Sequence, residues 1–147
     1  MGSRGTLLIA TTIVEMGAGL CLLMAPALAT WLLSRVREPS PEAVLLARIA
    51  GAGLFALGVA CGIARDDHGS RAQLGLLWGM LFYNVTVCAA LAFGGMTTSS
   101  VGLLLWPGVV LHATMTAWCV WNLLRPVHPQ RQTNRMPSPI VCRSDML

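Results

Sequence analysis

Four apolar runs, each long enough to cross a bilayer as a helix, limit what this chain can fold into more than any motif in it. They extend approximately from Thr6 to Leu33, Ala43 to Ala64, Gln73 to Phe93 and Val101 to Leu124. A hydrocarbon core of ~30 Å requires ~20 helical residues at ~1.5 Å each. Isolated glycines interrupt the runs, but in lipid every backbone donor and acceptor must be satisfied internally, which leaves helix as the available conformation. Barrel strands would show short alternating segments, and these runs do not alternate. The residue balance agrees: 55% are hydrophobic and 11% charged, against about a quarter charged in a soluble domain. The expected fold class is all-α, a polytopic membrane protein built as an antiparallel four-transmembrane-helix bundle over residues 1–125.

The connections are short. "SRVREPSPE" (34–42) joins the first two runs, and its prolines stop helix propagation. "RDDHGSR" (65–71) and the uncharged "GGMTTSS" (94–100) make the other two joins. Residues 126–147, rich in proline and arginine, read as a disordered cytoplasmic tail. The first run has a rival reading as a signal peptide, because Arg4 precedes it and "ALA" at 27–29 resembles a cleavage site. The stretch from Thr6 to Met24 exceeds the usual ~7 to 15 apolar residues and contains an acid, so retention as a membrane helix is the expectation.

Arginines set the orientation. Arg4, Arg65, Arg71, Arg125, Arg131, Arg135 and Arg143 fall on one side of the four-span topology, and only Arg35 and Arg37 on the other. The positive-inside rule then places both termini in the cytoplasm. Trp31 and Trp106 fall near the outer boundary, and Trp78, Trp118 and Trp121 toward the inner one, as an aromatic belt would. The net charge of +4 needs no nucleic-acid partner, since arginines near anionic headgroups account for it.

Small residues mark the packing faces. The second run carries Gly51, Gly58 and Gly62 at helical spacing, and the third carries Gly75 and Gly79 one turn apart, with Tyr83 one turn further. Such stripes let helix backbones approach closely in lipid, within a chain or between chains.

Against this background the polar residues inside the runs stand out. With midpoints near Ala18, Leu54, Tyr83 and His112, Glu15 lies about 4 to 5 Å to the cytoplasmic side of the midplane at ~1.5 Å per residue. Asn84 and His112 fall almost on it, and Arg48 falls about 9 Å to the outer side by the same rise. Glu15, Tyr83, Asn84 and His112 can therefore converge more readily than Glu15 and Arg48. Two placements fit Arg48: facing the bundle along the Gly51–Phe55–Gly58 stripe, or snorkelling to the outer headgroups. Two roles fit Glu15: interhelical glue, or part of a proton, ion or ligand site with His112. His112 is either a satisfied core histidine or a member of that site, and one histidine with one carboxylate is too little for a metal centre.

The cysteines, Cys21, Cys61, Cys88, Cys119 and Cys142, are dispersed without a C-x-x-C pair and read as small packing residues. Met16, Met24, Met80 and Met115 read the same way. No phosphate-binding glycine loop, nucleophile elbow or zinc-protease helix occurs.

The first run's "EMGAGLCLLMAP" and the second's "RIAGAGLFALGVA", on four short-looped helices, resemble the DoxX-like group of small bacterial membrane proteins. The resemblance covers Thr6 to Leu124 and implies a four-helix bundle. Some members of that group are linked with quinone-dependent sulfur oxidation, which makes quinone the cofactor the resemblance would imply, but no catalytic residue carries over.

The leading functional reading is a membrane accessory or interaction protein that forms a homo-oligomer, or joins a larger membrane complex, through its glycine faces. The alternative is a ligand- or proton-handling protein, such as a quinone-associated redox component or a small transporter, with Glu15, Tyr83, Asn84, His112 and Arg48 around the site. A third reading, an intramembrane enzyme with Glu15 as acid and His112 as base, has suitable residue types but no motif behind it.

Overall fold

The computed structural model describes residues 3–67, 69–98 and 101–125. These form helices only: α1 (Ser3–Met24), α2 (Pro26–Ser34), α3 (Pro41–Ala64), α4 (Arg71–Thr97) and α5 (Leu105–Leu124). The expected tail, residues 126–147, lies outside the described residues. Helices α1, α3 and α4 are long and apolar enough to cross a membrane. Together with large outward-facing side chains such as Ile13, Ile63, Phe82 and Phe93, they indicate a membrane-embedded protein. Helix α5 has 20 residues, but His112, Thr114, Thr116 and Asn122 dilute its apolar character.

The first run departs from expectation, because Thr6 to Leu33 is two helices and not one. Ala25 sits between them with φ −134° and ψ 57°. Pro26 explains the break, since it lacks an N–H to continue the ladder and disfavours helical geometry at the residue before it. The fourth run starts its helix at Leu105, four residues later than the run of apolar residues. The segment ahead of it is instead bound to α2. The amide of Gly102 donates to Leu33 O at 3.0 Å, and that of Leu104 donates to Leu32 O at 2.9 Å. These amides satisfy carbonyls at the C-terminal end of α2 that have no partner within the helix. A side chain at position 102 would overlap the Leu32 carbonyl, so glycine is required there by close approach.

The long helices form two tight antiparallel pairs, α1 with α3 and α4 with α5, that touch each other far less. In the first pair glycine sets the spacing. A Cβ at Gly19 would come within 2.6 Å of Phe55 N, and one at Gly51 within 2.8 Å of Gly19 O. Gly58 lies against Met16, and Gly62 lies at contact distance from Thr12. Gly51, Gly58 and Gly62 thus pack within the chain. Gly75 and Gly79 do not: both are exposed on α4, with nothing within 4 Å of where a side chain would begin.

The two pairs close on each other at the end that carries Arg4. Leu7 and Leu8 of α1, Cys61 of α3, Leu77 and Met80 of α4 and Cys119 of α5 form the buried core there. Arg4 donates to the Asn122 carbonyl at 3.0 Å, joining α1 to the C-terminal part of α5. Gln73 seals the α3–α4 turn: its side-chain amide donates to Ala64 O at 3.1 Å and its Oε1 accepts from Gly69 N at 3.2 Å. Gly69 adopts φ 80°, a conformation costly for residues with a Cβ. At the opposite end the pairs diverge, and α2 lies across the opening against α1, α3 and α5.

Candidate functional site

Glu15 is placed by the inward stripe of α1. Leu7, Leu8, Thr11, Glu15 and Gly19 recur at helical spacing and are all buried, as the 3.6-residue period requires of one face. Glu15 is 3% exposed. Across from it, α4 presents Met80, Tyr83 and Asn84, and α5 presents Leu111, His112 and Met115. The Tyr83 hydroxyl donates to Glu15 Oε2 at 3.2 Å. Asn84 Nδ2 donates to Met80 O at 2.7 Å, one turn back on its own helix. Its Oδ1 therefore faces His112 Nδ1, 2.8 Å away.

That pair of bonds fixes the histidine. Because Asn84 Oδ1 can only accept, Nδ1 of His112 must carry the proton. In the neutral ring this leaves Nε2 as an acceptor. The Tyr83 and His112 rings meet edge to face, with centroids 5.7 Å apart at 79°, so the two hydrogen-bonded pairs form one packed group. The four residues that depth arithmetic brings together, Glu15, Tyr83, Asn84 and His112, do meet in the structure.

Arg48 does not join them. It is exposed on α3 and makes no hydrogen bond or ion pair among the described residues, where the one ion pair is Arg65 with Asp66. Gly51, Gly58 and Cys61 occupy the inward face of that helix, and Arg48 falls off it. The bundle-facing placement of Arg48 is thus overturned, and the outward one fits a snorkelling side chain.

Glu15, Tyr83 and His112 stand at the polar end of a feature that no single run reveals. Where the two helix pairs diverge, an open cleft of about 410 Å³ runs from these residues toward α2. Its walls are Val14, Ala18 and Leu22 of α1, Leu54 of α3, Leu91 of α4, and Pro107, Gly108 and Leu111 of α5, with Leu32 and Leu33 of α2 at the far end. The size falls within the ~300 to 1,000 Å³ of small-molecule sites, which pair apolar walls with a few convergent polar groups. The sequence signal for the cleft was Pro26, which turns α2 out of line with α1 and places its leucines over the gap.

The fold and site together define a class: an all-helical, membrane-embedded chain with an apolar cleft ending on a carboxylate, a phenol and an imidazole. No protein-family model, no curated protein and no solved structure matches this chain. The geometry of the cleft therefore carries the functional argument.

Proposed function

We propose that this chain is a four-span protein of the bacterial cytoplasmic membrane, with both termini inside, that binds a small hydrophobic ligand between its two helix pairs. The topology rests on the lengths of the helices and on the one-sided distribution of arginines. The single observation behind ligand binding is the 410 Å³ apolar cleft that ends on Glu15, Tyr83 and His112. A buried carboxylate costs at least ~2.5 to 3.5 kcal/mol at the centre of a membrane helix. Glue between helices would need its hydrogen-bonding capacity filled from the protein, whereas among the described residues Glu15 receives one bond, from Tyr83, and it lines the cleft.

The accessory reading, with a homo-oligomer or larger complex, keeps one supporting observation, the exposed Gly75–Gly79 step of α4. A DoxX-like relationship, with quinone as the bound molecule, is one specific form of the ligand reading.

Mass spectrometry of the full chain released from mild detergent tests the proposal. A reproducible small hydrophobic adduct is expected on the wild type and absent from Ala18→Trp, which fills the cleft. Identical spectra from the two proteins, or adducts of bulk lipid alone, would count against a ligand site.

A further inference from the structure

The polar end of the cleft has a direction: its donors are already used and its acceptors are not. Tyr83 gives its one proton to Glu15 Oε2. Asn84 Nδ2 donates to Met80 O, and the Nδ1–H of His112 is held by Asn84 Oδ1. Two unpartnered side-chain atoms remain, Glu15 Oε1 and His112 Nε2, and with Glu15 ionised both are acceptors. Neither is among the fully enclosed side-chain polar atoms without a partner, a set that among the described residues contains Asn122 Oδ1 alone. Both residues line the cleft.

Charge points the same way. Among the described residues no arginine or second acid lines the cleft, and the one ion pair is remote from it. An ionised Glu15 has no countercharge among the described residues, and buried charges are paired or strongly penalised. A carbonyl-headed ligand, the quinone form of the ligand reading included, would set an acceptor against acceptors and leave both sides unsatisfied, which is more costly than the bond is favourable. A hydroxyl head has one proton to give and would fill one of the two acceptors.

We infer that the cleft takes hydrophobic molecules headed by a protonated amine. The ammonium donates N–H bonds to Glu15 Oε1 and His112 Nε2 and supplies the missing countercharge, while the alkyl part lies along Ala18, Leu54, Leu91 and Leu111. At the ~30 Å³ that one small-molecule unit such as water occupies in a liquid, the cleft holds roughly a dozen non-hydrogen atoms, the size of a medium-length alkylamine. This assignment rests on the cleft being a ligand site at all, and the test separates the two.

Three probes of equal length and different heads, dodecylammonium, dodecanol and decyl methyl ketone, are titrated calorimetrically into the full chain in neutral maltoside at pH 7. The ammonium is expected to bind at least tenfold more tightly than the ketone, about 1.4 kcal/mol, with the alcohol between them. Glu15→Gln should weaken the ammonium at least tenfold and strengthen the ketone, because the new amide can donate. Ala18→Trp should weaken all three alike. A ketone that binds wild type as tightly as the ammonium, as it would if Glu15 were protonated and donating, overturns the assignment. So does ammonium binding that Glu15→Gln leaves unchanged. If Glu15→Gln does not fold, the order of the three probes on wild type decides alone. Alcohol or ketone binding that is lost in Ala18→Trp, with no ammonium binding, refutes the head-group assignment and leaves the ligand site standing. Probe binding that is insensitive to Ala18→Trp, or absent for all three, refutes both.

Discussion

Replacing Gly19 by alanine tests whether backbone contact between α1 and α3 holds the first helix pair and, through it, the cleft. The added carbon would lie 2.6 Å from Phe55 N, 2.7 Å from Gly51 O and 3.1 Å from Phe55 Cα. All three are backbone atoms, so no side chain can rotate away. Restoring an ordinary contact of 3.4 Å from 2.6 Å requires the helices to separate by about 0.8 Å, a distance over which dispersion contacts lose a quarter to a half of their strength. Overpacking of this kind costs ~1 to 3 kcal/mol, offset by the ~1 kcal/mol that alanine gains over glycine in a helix. Gly17 supplies the control, because an added carbon there meets nothing within 4 Å, leaving only the helix-propensity gain. The difference between the two variants thus isolates the interface, and Gly19→Ala should be less stable than Gly17→Ala by about 1 to 3 kcal/mol. The assay is the midpoint of unfolding in mixed sodium dodecyl sulfate and mild-detergent micelles, followed by circular dichroism. Equal midpoints would refute the claim that glycine approach fixes the α1–α3 spacing.

Two further outcomes follow from the geometry. Gly102→Ala should destabilise the protein by ~1 to 3 kcal/mol, with protection of the Leu104 amide from hydrogen exchange reduced, because a Cβ cannot coexist with the Leu32 carbonyl at its present position; unchanged exchange would remove the docking of this segment on α2. Nitrogen NMR of ¹⁵N-histidine-labelled protein should find His112 with its proton on Nδ1, and Asn84→Leu should abolish that preference, since Asn84 Oδ1 is what the ring donates to. An Nε2–H tautomer in the wild type would contradict the acceptor pattern of the cleft.

Much of this arrangement was legible from the chain, and the parts that were not have a common cause. Composition and run length are enough to make the protein helical, because in lipid few alternatives satisfy the backbone. Depth along each run was enough to bring Glu15, Tyr83, Asn84 and His112 together, because antiparallel neighbours preserve height. Rotation about each helix axis was harder to read. Arg48 and the pair Gly75 and Gly79 sit at plausible heights on faces that turn outward, and a spacing of three or four residues identifies a face without saying which way it looks. The break at Pro26 was missed for a different reason. The run's apolar character continues through it, and hydropathy is blind to a missing N–H.

That break also explains why a cleft exists at all. Had α1 continued straight through Ala25, its last nine residues would have run on alongside α3 in the same line. As it is, Pro26 begins a second helix whose C-terminal carbonyls are held by the segment preceding α5. Helix α2 therefore ties the first helix pair to the second at the end where the core does not. The pairs are held at both ends, by Leu7, Leu8, Cys61, Leu77, Met80 and Cys119 at one and by α2 at the other. Between these ties lie Glu15 and His112, at the height where the two pairs neither close fully nor separate. A carboxylate in that position lines the cleft without leaving the bundle: the α1 stripe buries Glu15, and the cleft it borders follows from one proline eleven residues away.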